Sequence, residues 1–216
     1  MKAIVLDFDG VVVRGSEFGK NKAWLDIFPA DLKGHVDAAR EKFSGGKGSR
    51  FDIIRELGPV CGILESDTDD WVARKAEEFG KFTFEFTIRE GVLPEDFKAL
   101  EGLCTTYPLY LNSATPESVL SMIADRLKVS QFFRGIYGQR NQRSKVENME
   151  RAGADSEASP SEVLFVGDQD TDVKIAETFG CHFVGVMNDW NKWKIGDRPF
   201  SLIPALKDLP DFIRSL

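Results

Sequence analysis

Ala3-Ile4-Val5-Leu6 runs without interruption into Asp7-Phe8-Asp9-Gly10, and the reading of this stretch decides the fold class. A short apolar run closed by turn residues suits a strand buried on both faces, as in a parallel sheet. Two later stretches repeat the pattern. Pro108-Leu109-Tyr110-Leu111 ends in Asn112-Ser113, and Val163-Leu164-Phe165-Val166 ends in Gly167-Asp168. Helix signals follow both. Thr115-Pro116 offers an N-cap and a proline at the first helical position, and residues 169–179 carry apolar side chains at helical spacing before Gly180. A further short strand is expected over 181–186. Strand–helix alternation of this kind implies an α/β core with a doubly wound parallel sheet. In such sheets ligands bind outside the carboxyl ends of the strands, where these polar residues gather.

Residues 16–87 read differently. Leu25 to Phe28, Val36 to Phe43, Phe51 to Leu57 and Trp71 to Phe86 have helical periods and little strand-like alternation. The gap is too long for an ordinary crossover loop. The expectation is a core built from 1–15 and 88–216, with 16–87 inserted as a helical cap domain.

Composition narrows the classes. The chain has 216 residues, with 28 Lys+Arg against 35 Asp+Glu and a net charge of −7. That acidic balance argues against a nucleic-acid binder, which normally shows a clustered basic excess. No apolar stretch approaches the about eighteen residues that a membrane span needs. The opening apolar run is too short for a signal peptide, so the expected location is cytoplasmic. Cys61, Cys104 and Cys181 are far apart, without metal-ligand spacing, and read as small buried thiols. His35 and His182 are isolated and read as surface or packing residues. Gly45-Gly46-Lys47-Gly48-Ser49 lacks the spacing of a nucleotide phosphate loop. Asp7-x-Asp9-Gly10 is too compressed for an EF-hand.

The carboxylates carry the chemistry. Asp7 and Asp9, two apart at a strand end, can point the same way; Asp168 and Asp172, four apart where a helix begins, share a face. If their strands are neighbours, several carboxylates converge. Each like-charge pair at ~4 Å then costs about 4 kcal/mol at an effective dielectric near 20, so the cluster calls for a cation. Hard oxygen ligands select Mg²⁺, which also bridges to substrate phosphate. An aspartate is ionised at neutral pH and can attack without a general base.

With these residues in place, the chain resembles the haloacid dehalogenase superfamily. The resemblance rests on Asp7-Phe8-Asp9-Gly10-Val11, on Ser113 after an apolar strand, and on Gly167-Asp168-x-x-x-Asp172. It is closest in pattern to the helical-cap branch that includes phosphoglycolate phosphatases and beta-phosphoglucomutases. It implies a Mg²⁺-dependent phosphatase in which Asp7 is the nucleophile and forms an aspartyl-phosphate. Asp9 would be the acid and base, with its backbone carbonyl on the metal. Asp168 would be a direct metal ligand supported by Asp172, while Ser113 and the Ala114 backbone would hold phosphoryl oxygens. The family's basic residue precedes a helix, which favours Lys145 over Arg140 and Arg143. The chain departs from many relatives at Arg14, where an acidic residue is usual.

The resemblance also bears on substrate. The cap loop around Lys47 and Arg50 corresponds to a substrate-reading loop in relatives, and Ser49-Arg50-x-Asp52 looks like its sugar-phosphate version. A solvated interhelical turn is the plainer alternative. Small phosphorylated metabolites are the expected partners, with the chain a monomer or homodimer. Rival readings are a sugar phosphomutase and a non-catalytic relative that binds a phosphorylated ligand. In the sugar mutases a histidine lies four residues before a tryptophan; here Trp24 is that tryptophan and Lys20 takes the histidine's place. Lysine cannot reproduce histidine's proton exchange near neutral pH, so hydrolysis is expected.

Overall fold

The computed structural model describes residues 1–43, 48–140 and 144–216. Lys47 and Arg143, both singled out above, lie outside them. The chain divides into two compact units, one of residues 1–15 and 90–216, the other of residues 16–89.

The first unit is built on one parallel six-stranded sheet. Its strands are β1 (Ala3–Leu6), β2 (Leu109–Pro116), β3 (Phe133–Gln139), β4 (Val163–Gly167), β5 (His182–Val186) and β6 (Ser201–Ile203), in the order β3-β2-β1-β4-β5-β6. β1 is central and wholly buried, which is why its sequence is apolar without alternation. Register aligns Val5 with Tyr110 on one side and Phe165 on the other, and Phe165 in turn with Phe183. That row packs with Met149 and Ala176 in a single apolar cluster. Each large side chain so buried contributes about 1.5–3 kcal/mol.

Two strands escape the sequence reading. β3 and β6 are the sheet's edges. β3 carries Arg134, Gly135 and Gly138, and β6 is only three residues long. An edge strand has one neighbour and needs no continuous apolar run, so neither announces itself.

The expected helix start at Thr115-Pro116 is corrected. Both residues stay in β2, Pro116 aligning with Gln139 of β3, and the helix runs over Glu117–Arg126. The Thr115 hydroxyl does not cap it but donates to Asp9 Oδ2 at 3.3 Å. The contact with Asp9 has taken the capping group.

The second unit is helical. It holds α1 (Ser16–Asp26), α2 (Lys33–Lys42), α3 (Arg50–Leu57) and α4 (Thr68–Glu90, whose last residue belongs to the first unit). Trp24, Phe28, Val36, Ile54, Leu57, Trp71 and Phe79 form its core. The rings of Trp24 and Phe79 lie 4.4 Å apart, close enough to add an aromatic contact term of about 0.5–1.5 kcal/mol. Ser49 and Asp52 begin α3: the Asp52 carboxylate accepts from the Ser49 N–H and hydroxyl, both at 2.7 Å. Those contacts hold Asp52 below its ordinary pKa. The two polar residues of Ser49-Arg50-x-Asp52 thus serve as a helix cap. Arg50 sits over the Phe51 ring, 5.3 Å from its centroid. Lys20 pairs with Glu17 at 2.5 Å one turn away. Among the described residues no helix is long and apolar enough to cross a membrane.

Candidate active site

The remaining helices of the first unit are α5 (Pro94–Cys104), α6 (Glu117–Arg126), α7 (Lys145–Ser156), α8 (Asp170–Phe179) and α9 (Leu209–Arg214). Sheet order decides what the carboxylates can do. Because β1 lies between β2 and β4, the residues following Leu6 and Val166 come out side by side, with the end of β2 next to them. Asp7 donates its N–H to the Val166 carbonyl at 2.8 Å. Asp7, Asp9, Ser113, Asp168 and Asp172 are all buried. Asp7, Asp168 and Asp172 each offer an oxygen within 4.8 Å of the others.

Among the described residues, the cation in contact with them is a lysine. Lys145, the first residue of α7, reaches Asp7 Oδ2 at 2.8 Å and Asp172 Oδ1 at 2.9 Å. Burial works against its charge, but Asp172 and Asp7 outweigh that and hold its pKa above the usual lysine value. Ser144 caps α7 by accepting from the Glu147 N–H, while the Glu147 carboxylate accepts from the Ser144 N–H at 2.6 Å. Arg140 pairs instead with Glu117 at 3.4 Å, on the exposed surface. Asp172 Oδ2 accepts from the N–H groups of Asp168 and Gln169 at 3.2 and 3.1 Å. Asp172 therefore ties Lys145 to the start of α8.

Asp7 is strained electrostatically. Its Oδ1 accepts from the Phe8 N–H at 2.7 Å. Burial raises its pKa well above the ordinary carboxylate value; Lys145 opposes this, while Asp172, Asp168 and Asp9 add to it. At Asp7 the charges of Asp172, Asp168 and Asp9 act against the single charge of Lys145 among the described residues, and the acidic groups offer oxygen donors. That fits a hard divalent cation.

Close approach dictates two glycines. Gly10 has φ +79°, and a Cβ there would lie 2.0 Å from Asp168 Oδ2; at Gly167 it would lie 2.6 Å from the Asp172 Cβ. Both belong to the motifs read in the sequence, and no larger side chain fits.

Several contributors have roles that the sequence does not announce, although Asn112 is legible as a polar residue at a strand end. Asn112 donates to the Lys145 carbonyl at 2.9 Å, and Asn148 donates to Asn112 Oδ1 and the Gly138 carbonyl at 3.2 and 3.3 Å. Asn188 and Asn191 both donate to Asp168. The signal available for Asn148 is its helical spacing of three from Lys145; for Asn188 and Asn191 there is none. Ser113 Oγ accepts from the Thr115 N–H at 3.1 Å, and Ala114 beside it is exposed. Arg14 donates to the carbonyls of Met187 and Pro204 at 3.4 and 3.3 Å, bracing the loop after β1. Arg50 belongs to the helical unit.

Comparison with known proteins finds a matching family model, similar sequences and similar folds. The model of the haloacid dehalogenase-like hydrolases matches residues 1–180. The chain is 26% identical to a phosphoglycolate phosphatase of Pseudomonas syringae pv. syringae (strain B728a), over 96% of this chain and 78% of that protein. Its fold is similar to that of beta-phosphoglucomutase from Clostridium difficile, with TM-score 0.69 and 17% identity, covering 100% of this chain and 96% of the other. L-2-haloacid dehalogenase from Xanthobacter autotrophicus gives TM-score 0.67 and 17% identity, covering 100% and 99%.

Proposed function

The chain belongs to the haloacid dehalogenase-like hydrolases, and from that premise we propose that it is a Mg²⁺-dependent phosphatase of small phosphorylated metabolites. The observation that carries this reading is the Asp7 carboxylate, held by Lys145 at a strand end among Asp9, Asp168 and Asp172. Asp7, Asp168 and the Asp9 carbonyl are assigned to hold Mg²⁺, with Asp172 in support. When bound, the ion supplies positive charge that screens the nucleophile from the anionic phosphate.

The protein's own residues perform the rest. An Asp7 carboxylate oxygen attacks phosphorus as the bond to the leaving oxygen breaks, and Asp9 delivers a proton to that oxygen. Thr115, whose hydroxyl donates to Asp9 Oδ2, orients that group. Water then attacks the aspartyl-phosphate, Asp9 takes its proton, and inorganic phosphate leaves with Asp7 regenerated. Lys145 neutralises charge on Asp7 and on the transferring group. Ser113 and the Ala114 N–H are assigned to the phosphoryl oxygens. The helical unit of residues 16–89 is assigned the role of cap, with Arg50 as its cation for substrate binding.

Hydrolysis is favoured over phosphoryl shuttling because the mutase histidine's place is taken by Lys20, which pairs with Glu17. A panel of phosphorylated metabolites should show phosphate release with Mg²⁺, none with chelator, and recovery on adding Mg²⁺. Full turnover in chelator overturns the metal assignment. Conversion of a sugar 1-phosphate to its 6-phosphate, followed by phosphorus NMR and faster than phosphate release, would replace the phosphatase with a mutase.

Gly10 offers a geometric check. Gly10→Ala places a methyl against Asp168, and a displacement near 1 Å at a reacting centre costs about 100-fold. Turnover within threefold of wild type would show that Asp168 need not sit where it does.

A further inference from the structure

We infer that Asn188 is a positioning residue for the Asp168 carboxylate, an inference that rests on the assignment of Asp168 to Mg²⁺. Asn188 lies in the loop after β5, outside every motif of the sequence reading. Its Nδ2 donates to Asp168 Oδ2 at 2.6 Å. Its Oδ1 accepts from the N–H groups of Trp190 and Asn191 at 3.2 and 2.9 Å. Asn191 completes the knot. Its Nδ2 donates to the carbonyls of Asp168 and Val186 at 2.9 and 2.8 Å, and its Oδ1 accepts from the N–H groups of Asn188 and Trp193 at 3.3 and 3.1 Å. Two side-chain amides thus bind one loop to both the main chain and the carboxylate of Asp168.

The physical consequence is orientation. A carboxylate turns about its Cβ–Cγ bond, and a donor fixed on one oxygen sets its plane. Gly10 packs against the same oxygen, since even a methyl group there would collide with Asp168 Oδ2. Oδ2 is committed to the amide, and Oδ1 is the oxygen assigned to meet the cation. An amide suits this task. It donates at every pH and carries no charge, so it orients Asp168 without neutralising it, as a lysine in its place would.

The two roles of Asn188 separate by substitution. Asn188→Ser keeps an oxygen acceptor for the loop N–H groups, as serine does in such turns, but its hydroxyl is too short to donate to Asp168. Asn188→Ala loses both. Calorimetric titration of the substrate-free protein with Mg²⁺ should give dissociation constants raised about 10–100-fold in both variants, the range for lost partners of a metal ligand. The Mg²⁺ dependence of turnover should move by the same factor. A dissociation constant within twofold of wild type in Asn188→Ser would assign the residue to the loop alone and overturn the inference. Should Asn188→Ala fail to fold, Asn188→Ser decides. Wild-type protein that binds no Mg²⁺ overturns the inference and the metal assignment together. Mg²⁺ binding that is lost in Asp168→Ala and kept in Asn188→Ser overturns the inference alone.

Discussion

Asp7→Asn should abolish phosphate release, with turnover falling by about a thousandfold or more, the scale expected when a covalent nucleophile is removed. The amide has nearly the carboxylate's shape but cannot form the aspartyl-phosphate. The same substitution has an opposite effect on the metal-free fold. Asp7 titrates higher in the folded protein than its unfolded value of 3.8, burial being the main cause. Between those two values the folded state binds more protons, so metal-free stability falls as pH rises through that window. Asparagine stands in for the protonated form. In chelator at neutral pH, Asp7→Asn should therefore melt above wild type, with the gap closing towards pH 4. Turnover within tenfold of wild type removes Asp7 as nucleophile. A variant that melts below wild type in chelator would show that Lys145 compensates for Asp7 more fully than burial costs it.

Legibility in the sequence follows burial. β1, β2 and β4 are central, covered on both faces, and can be read from continuous apolar runs; their ends name Asp7, Ser113 and Asp168. The edge strands β3 and β6 have no such signature. The turn at Thr115-Pro116 misleads for a specific reason. Local capping rules assign the threonine hydroxyl to the helix, while the fold assigns it to Asp9. The same limit applies to Ser144-Lys145-Val146. Those residues announce a helix start, but nothing in them says that the ammonium reaches Asp7, 138 positions away. Sequence motifs name the charged groups; the amides of Asn148, Asn188 and Asn191, which hold those groups, belong to no motif, and Asn112 is legible only as a polar residue at a strand end. Their positions follow from sheet order, and sheet order emerges only when the chain is folded.

Lys145→Met should be the most damaging substitution away from Asp7. The ammonium bridges Asp7 and Asp172, which are both buried. Removing one member of a buried ion pair costs about 3–5 kcal/mol, because the remaining charge stays unpaired. Part of that cost is avoidable, since Asp7 can take up a proton and does so more readily once Lys145 is gone. The deficit in chelator should therefore be larger at pH 8 than at pH 5, measured by urea unfolding. Turnover should fall by about 10²–10³, the usual effect of losing one donor aimed at developing charge. Arg140→Ala is the comparison that makes this specific. Arg140 pairs with Glu117 on the exposed surface, where a single ion pair contributes about 0–1 kcal/mol, so its loss should leave turnover within threefold of wild type. If Arg140→Ala is impaired and Lys145→Met is active, the basic residue of the site is Arg140, and the contact between Lys145 and Asp7 is packing without catalytic weight. A Lys145→Met deficit equal at pH 5 and pH 8 would mean that Asp7 does not change its protonation when the ammonium is removed, contrary to the electrostatics of the buried cluster.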